Sequence, residues 1–179
     1  MTTDDQHIIS IVRQDSEAGF RLLMAGYREP VYWHIRRLVV SHADAQDAVQ
    51  DTFVRIFRSL GQLRQGHSLR GWIYRIATNE ALRLISRRRV SSRPLDELRS
   101  ETDSMAADTY IDYSDLIAVR MQRAILSLPS RQQLAFNLRY YDEMSYDEIA
   151  MVVGSTAASA KSNYYLAKEK IVEYMKKTD

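Results

Sequence analysis

Residues 145–168 read SYDEIAMVVGSTAASAKSNYYLAK, and their spacing decides the fold of the chain. Ser145 followed three residues later by Glu148 is a capping box: the hydroxyl takes one orphan amide of a new helix, and the carboxylate takes the amide of the cap itself. Tyr146, Ile149, Ala150 and Val153 then fall on one apolar stripe. Gly154 provides the positive φ that a tight turn demands, and Thr156 can cap a second helix whose inward side would hold Ala160, Tyr164 and Ala167. Two short helices joined this way form a helix-turn-helix. The second helix of that motif enters the major groove, so Ser159, Lys161, Ser162, Asn163, Tyr165 and Lys168 are candidates for base and phosphate contacts. An ordinary helical hairpin shares the periodicity. The capping box, the glycine turn and the small alanine at the inter-helix contact coincide, however, at the offsets the DNA-binding motif needs.

Outside this stretch the same 3.6-residue periodicity continues, with only three prolines and six glycines, so the chain is predicted to be all-α. Its 179 residues, 45% hydrophobic, suffice for one or two small cores. No apolar run is long enough for a membrane span, and MTTDDQHIISIVRQD lacks the basic flank and apolar centre of a signal peptide, which makes the cytoplasm the expected compartment. The absence of cysteine excludes disulfides and thiolate metal sites. His7, His34, His42 and His67 are scattered without metal-ligand spacing, and no glycine-rich phosphate loop or nucleophile motif is present, so no catalytic activity, cofactor, metal or small-molecule substrate is expected.

The net charge of +2 conceals a division. Between Arg64 and Arg93 eight arginines face the single acid Glu80, whereas from Pro94 to Val119 seven acids face only Arg99. The acidic stretch also loses the helical apolar stripe, which predicts two helical domains, 1–93 and 113–179, joined by a flexible acidic linker over 94–112. All five lysines lie from Lys161 onward. Two basic domains on an acidic tether suit a partner with repeated phosphates.

Within the first domain, DAQDAVQDTFVRIFRSL places Ala45, Ala48, Val49, Thr52, Phe53, Ile56, Phe57 and Leu60 on one apolar face and leaves Asp47, Gln50, Asp51, Arg55 and Arg58 outside. A row of this kind is compatible with plain i,i+4 helix support or with a contact surface. In LRGWIYRIATNEALRLISRRR, Leu69, Ile73, Ile76, Ala77, Leu84 and Ile85 can turn inward, and Trp72, Arg75, Asn79, Arg83, Ser86 and Arg87 share another side. Arginines neutralise phosphates, Asn79 can pair with a base edge, and the preceding loop, with Arg64, His67 and Ser68, can hold an unstacked base. That set suits melted DNA. Equally, Trp72 can be plain core and Arg87 to Arg89 a solvated helix end favoured by the macrodipole.

The ordered succession of DAQDAVQDTFVRIF, SLRGWIYRIATNEA, an arginine run, an acidic stretch and LPSRQQLAFNLRYYDEMSYDEIAMVVG resembles the bacterial extracytoplasmic-function (ECF) sigma factors over nearly the whole chain. The resemblance implies a sigma region 2 bundle and a sigma region 4 helix-turn-helix that bind core RNA polymerase and promoter DNA. Asp47, Gln50, Asp51 and Phe53 match a D-x-x-Q-[DE]-x-F helix that docks on the β′ clamp helices, with Arg55 alongside and Phe53 supporting the packing. Trp72, Arg75 and Asn79 match the segment that opens the minus-10 element; Arg83 stands where the family commonly has Asp, and the loop before Ser68 corresponds to the flipped-base pocket.

Region 4 is implied to read the minus-35 element and to touch the β flap. Ser159, Lys161 and Ser162 match its pattern, but Ala158, Ala160, Asn163 and Leu166 replace the usual Gly, Val, Arg and Arg. Two arginines are thus missing from the reading face, which predicts an altered promoter preference at Asn163 and a flatter salt dependence. Control by an anti-sigma factor is implied as well. A free-standing helix-turn-helix regulator binding duplex DNA as a dimer is the competing expectation, and it leaves the Asp47/Asp51 face and the Trp72/Asn79 helix unexplained.

Overall fold

The computed structural model describes residues 3–63, 68–90 and 116–177, and among these every regular element is helical. The chain divides into two units, Met1–Val90 and Ser91–Asp179. The predicted acidic linker over 94–112 lies outside the described residues, as do Arg64 and His67. No described helix is long and apolar enough to cross a membrane.

The first unit comprises α1 (Thr3–Gln14), α2 (Ser16–Val39), α3 (His42–Ser59) with a closing 3-10 turn (Leu60–Gln62), and α4 (Leu69–Val90). Asp15 breaks α1 from α2 by accepting the amides of Glu17 and Ala18 at 3.0 Å each. Gly19 then lets α2 close on α1, since a Cβ there would lie 2.5 Å from the Cα of Val12. The hydroxyl of Tyr27 donates to Asp5 Oδ1 at 2.6 Å and fastens the start of α1 to α2. α2 ends at Val40, whose φ of 67° and ψ of −45° let the Ser41 amide donate to the Val39 carbonyl at 2.8 Å. Ser41 in turn caps α3.

α4 packs against both α2 and α3, and this central position moves its buried face away from the predicted one. Leu69, Ile73 and Ala77 are buried as expected, but Tyr74, Thr78, Glu80 and Ala81 join them, while Ile76, Leu84 and Ile85 are only half-buried. A helix with neighbours on two sides must bury more than one stripe, so polar groups go in and need partners. Thr78 finds His34, Oγ1 to Nε2 at 2.8 Å. Phe57, predicted in the core face, is instead 48% exposed, its ring edge-on to Phe20 at 5.0 Å on the rim of the unit.

The second unit comprises α5 (Leu116–Leu126), α6 (Ser130–Tyr140), α7 (Tyr146–Val153) and α8 (Ala157–Lys176). Ala124, Ile125, Leu128, Phe136, Ala167 and Ile171 form its centre, with Met121, Tyr164 and Met175 against them. The capping box closes as read from the sequence: the Ser145 amide donates to Glu148 Oε2 at 2.8 Å and the Glu148 amide to Ser145 Oγ at 3.3 Å. Gly154 ends α7 at φ 66°, and Thr156 accepts the Ser159 amide at 3.1 Å to start α8. Val152 is buried where Val153 was expected; Val153 is half-buried. Asn137 is fully buried on α6, and neither of its amide atoms has a partner among the described residues.

Candidate nucleic-acid and polymerase interfaces

The outer face of α3 presents Asp47, Gln50 and Asp51 to solvent, and the carboxylates of Asp47 and Asp51 form no ion pair with the described residues. The same face continues into exposed Val54, one turn further along, and Phe57, one turn beyond that. Phe53, by contrast, is buried and edge-on to Phe20 at 6.4 Å, so it holds the face in place from beneath. Arg55 does not spend its charge along its own helix. Its Nε lies 2.8 Å from Oε1 of Glu80 on α4.

Glu80 is 6% exposed and would be costly to bury alone as a carboxylate. It is flanked from two sides, by Arg55 and by Arg83, whose Nη1 stands 3.3 Å from both carboxylate oxygens. Arg83 therefore joins a three-group cluster instead of adding a free cation to the outer side of α4. Arg75 and Asn79 remain exposed on that side, and Trp72 is half-buried. Ser68 has a local duty: its Oγ accepts the Gly71 amide at 3.0 Å and its carbonyl accepts the Trp72 amide at 3.0 Å, which makes it the cap of α4. The predicted base pocket around it falls outside the described residues.

On α8, Lys161, Ser162, Tyr165 and Lys168 are exposed, whereas Ser159 and Asn163 are half-buried. Asn163 is tied back to its own helix, Nδ2 donating to the Ser159 carbonyl at 2.9 Å and to Ser159 Oγ at 3.4 Å. Of the two amide groups expected to face a base, one is thus engaged before DNA arrives. Leu166, which stands where the family has an arginine of the reading face, is exposed on the outward phase of α8. Val54 carried no role in the sequence reading, since a lone apolar residue among polar ones is easily taken as noise; it too is exposed.

Comparison with known proteins supplies the context. The Sigma-70 region 2 family matches residues 23–90 and the Sigma-70 region 4 family matches residues 118–171. The ECF RNA polymerase sigma-E factors of Salmonella typhimurium and Escherichia coli are 30% identical to this chain over 176 residues, covering 93% of it and 92% of their own length. The chain belongs to the ECF sigma factors of RNA polymerase.

Two solved structures share the fold of this sigma factor. CnrH, determined with the cytosolic domain of CnrY, superposes with a TM-score of 0.74 at 18% identity, covering 98% of this chain and 99% of that one. The sigma factor RpoE of Bartonella quintana, determined with the anti-sigma factor NepR, gives a TM-score of 0.68 at 21% identity, covering 88% and 96%. The region 2 match ends at Val90, the last residue of α4, and region 4 spans from α5 into the last turns of α8. As a sigma factor the chain directs promoter recognition and transcription initiation.

Proposed function

We propose that this sigma factor docks on core RNA polymerase through the outer face of α3 and divides promoter reading between its units, α4 taking the opened minus-10 strand and α8 the minus-35 duplex. In domain terms, 1–93 docks and melts, 113–179 reads upstream, and 94–112 tethers them. The observation that carries this reading is the pairing of unlike surfaces on adjacent helices. Asp47, Gln50 and Asp51 form an acidic and amide face on α3 whose carboxylates pair with no described residue, while Arg75 and Asn79 follow the half-buried Trp72 along one side of α4. The first suits a basic protein surface, with Val54 and Phe57 adding apolar contact; the second suits unstacked bases on a phosphate strand.

In this reading the chain performs no chemistry of its own, and polymerase supplies the catalysis. Taking a base out of the stack costs about a few kcal/mol, and a half-buried ring at Trp72, with guanidinium groups on the phosphates, offsets that cost. The working place is the cytoplasm, where polymerase and promoter meet. Control by an anti-sigma factor fits the same surfaces, because a protein covering the α3 face would withhold the chain from polymerase. The complexes of RpoE with NepR and of CnrH with CnrY support this part of the proposal.

Run-off transcription from a promoter selected with the holoenzyme tests the whole reading: initiation is expected only when core and this chain are both present. A regulator of the free-standing type would bind duplex DNA without core and confer no initiation. Charge reversal at Asp47 and Asp51 is expected to abolish co-purification with core while leaving the thermal midpoint in place; undiminished co-purification overturns the docking face.

A further inference from the structure

The DNA-facing side of α8 is more apolar than phosphate binding requires. Ala160, Tyr164, Ala167 and Ile171 turn inward, which leaves Ala158, Ser162, Tyr165 and Leu166 outward over the first three turns, with Lys161 and Lys168 along one edge. α8 contains no arginine, and the Asn163 amide nitrogen is held by Ser159. Hydrogen-bonding readout of guanine is therefore left to lysine and hydroxyl groups, without the bidentate fork of an arginine. Against this, Tyr165 is 50% and Leu166 42% exposed. The Tyr165 ring is not free to wander: it stands edge-on to Tyr164 at 5.6 Å, and Tyr164 in turn stacks on Phe136 at 5.9 Å in the core.

The major groove offers an apolar side chain one apolar group, the C5 methyl of thymine. We propose that Tyr165 and Leu166 read thymine methyl groups in the upstream element, so that this half of promoter choice depends on methyl burial. The proposal rests on the placement of α8 in the minus-35 major groove given above. Lys161 and Lys168 hold the flanking phosphates as point charges and set the depth at which the apolar pair meets the bases.

The test uses holoenzyme, core polymerase plus the full chain, and a promoter duplex selected from a library randomised over both elements. Each thymine of the upstream element is replaced singly by deoxyuridine, which removes the methyl and nothing else. Burying one methyl is expected to make the thymine form bind about fourfold tighter at one or two positions. Leu166→Ala is expected to erase that ratio at one position with the thermal midpoint unchanged, and Tyr165→Ala to erase it at another with a small fall in midpoint from the lost ring contact with Tyr164. Equal affinity for thymine and deoxyuridine at every position overturns the proposal while leaving minus-35 binding intact. Selection of no upstream element at all overturns the placement of α8 itself. Loss of core binding in Leu166→Ala with the thymine ratio unaltered makes the pair a protein-docking surface, and the methyl reading falls.

Discussion

Arg55 of α3 reaches Glu80 of α4 at 2.8 Å, joining the helix with the acidic outer face to the helix with the cationic one. The contact spans the two surfaces that polymerase and DNA are proposed to use, and Arg83 completes it from the side of α4.

Glu80→Gln keeps the shape and removes the charge that both guanidiniums face. Breaking a fully buried pair costs about 3–5 kcal/mol, and because the arginines here are half-exposed, water screens part of that; about 1–3 kcal/mol is expected in chemical denaturation. A double-mutant cycle with Arg55→Met should show strong non-additivity, since either change alone leaves the partner unbalanced. Additive effects would mean the three groups act separately.

Asn137 offers the opposite sign. Its buried amide has no hydrogen-bond partner among the described residues, and an unsatisfied polar group of this kind costs about 1–3 kcal/mol. Asn137→Leu, which has the same branching with two methyl groups in place of the amide atoms, is expected to raise the unfolding midpoint of the chain. A lowered midpoint would mean the amide is satisfied in solution, by a bound water for instance.

Glu143 sits at φ 51°, in the left-handed region, just before the capping box of α7. A side chain there costs about 1–2 kcal/mol, and glycine returns part of it as unfolded-state entropy. Glu143→Gly is therefore expected to stabilise the second unit by about 0.5–1 kcal/mol, whereas Gly154→Ala, at φ 66°, should destabilise it by about 1–2 kcal/mol. Denaturation midpoints of the two variants should move in opposite directions.

Tyr27 makes the first unit sensitive to alkali. Burial above all, then its hydrogen bond to Asp5, pushes the phenol well above its ordinary value. The folded state holds this proton more tightly than the unfolded chain does, so the contribution is complete below about pH 10 and is lost as pH rises past it. Tyr27→Phe should flatten that alkaline loss and lower stability near neutrality, where Asp5 would be left without its donor. An unchanged alkaline limb in the variant would remove Tyr27 from the account.

Much of region 4 was legible because its signals are local. Ser145, Glu148, Gly154 and Thr156 act within four residues of themselves, and each does what its spacing predicts. Glu80 was not legible as buried, since its solvation depends on Arg55, 25 positions earlier in the chain, which no helical wheel brings near. Phe57 failed for a related reason: a wheel shows that it adjoins the apolar stripe, but only the packing of α2 shows that the core ends before reaching it. Asn163 was read as a free amide because its bond to Ser159 competes silently with any ligand.

The half-buried position of Trp72 has an optical consequence. The chain's two tryptophans, Trp33 and Trp72, both belong to the first unit, while the ring ladder from Phe136 through Tyr164 to Tyr165 belongs to the second. Indole emission therefore reports on one half of the protein alone, and Trp72 lies on the helix proposed to meet the opened strand. The first half can be watched by itself, without a label, while the whole chain engages a promoter.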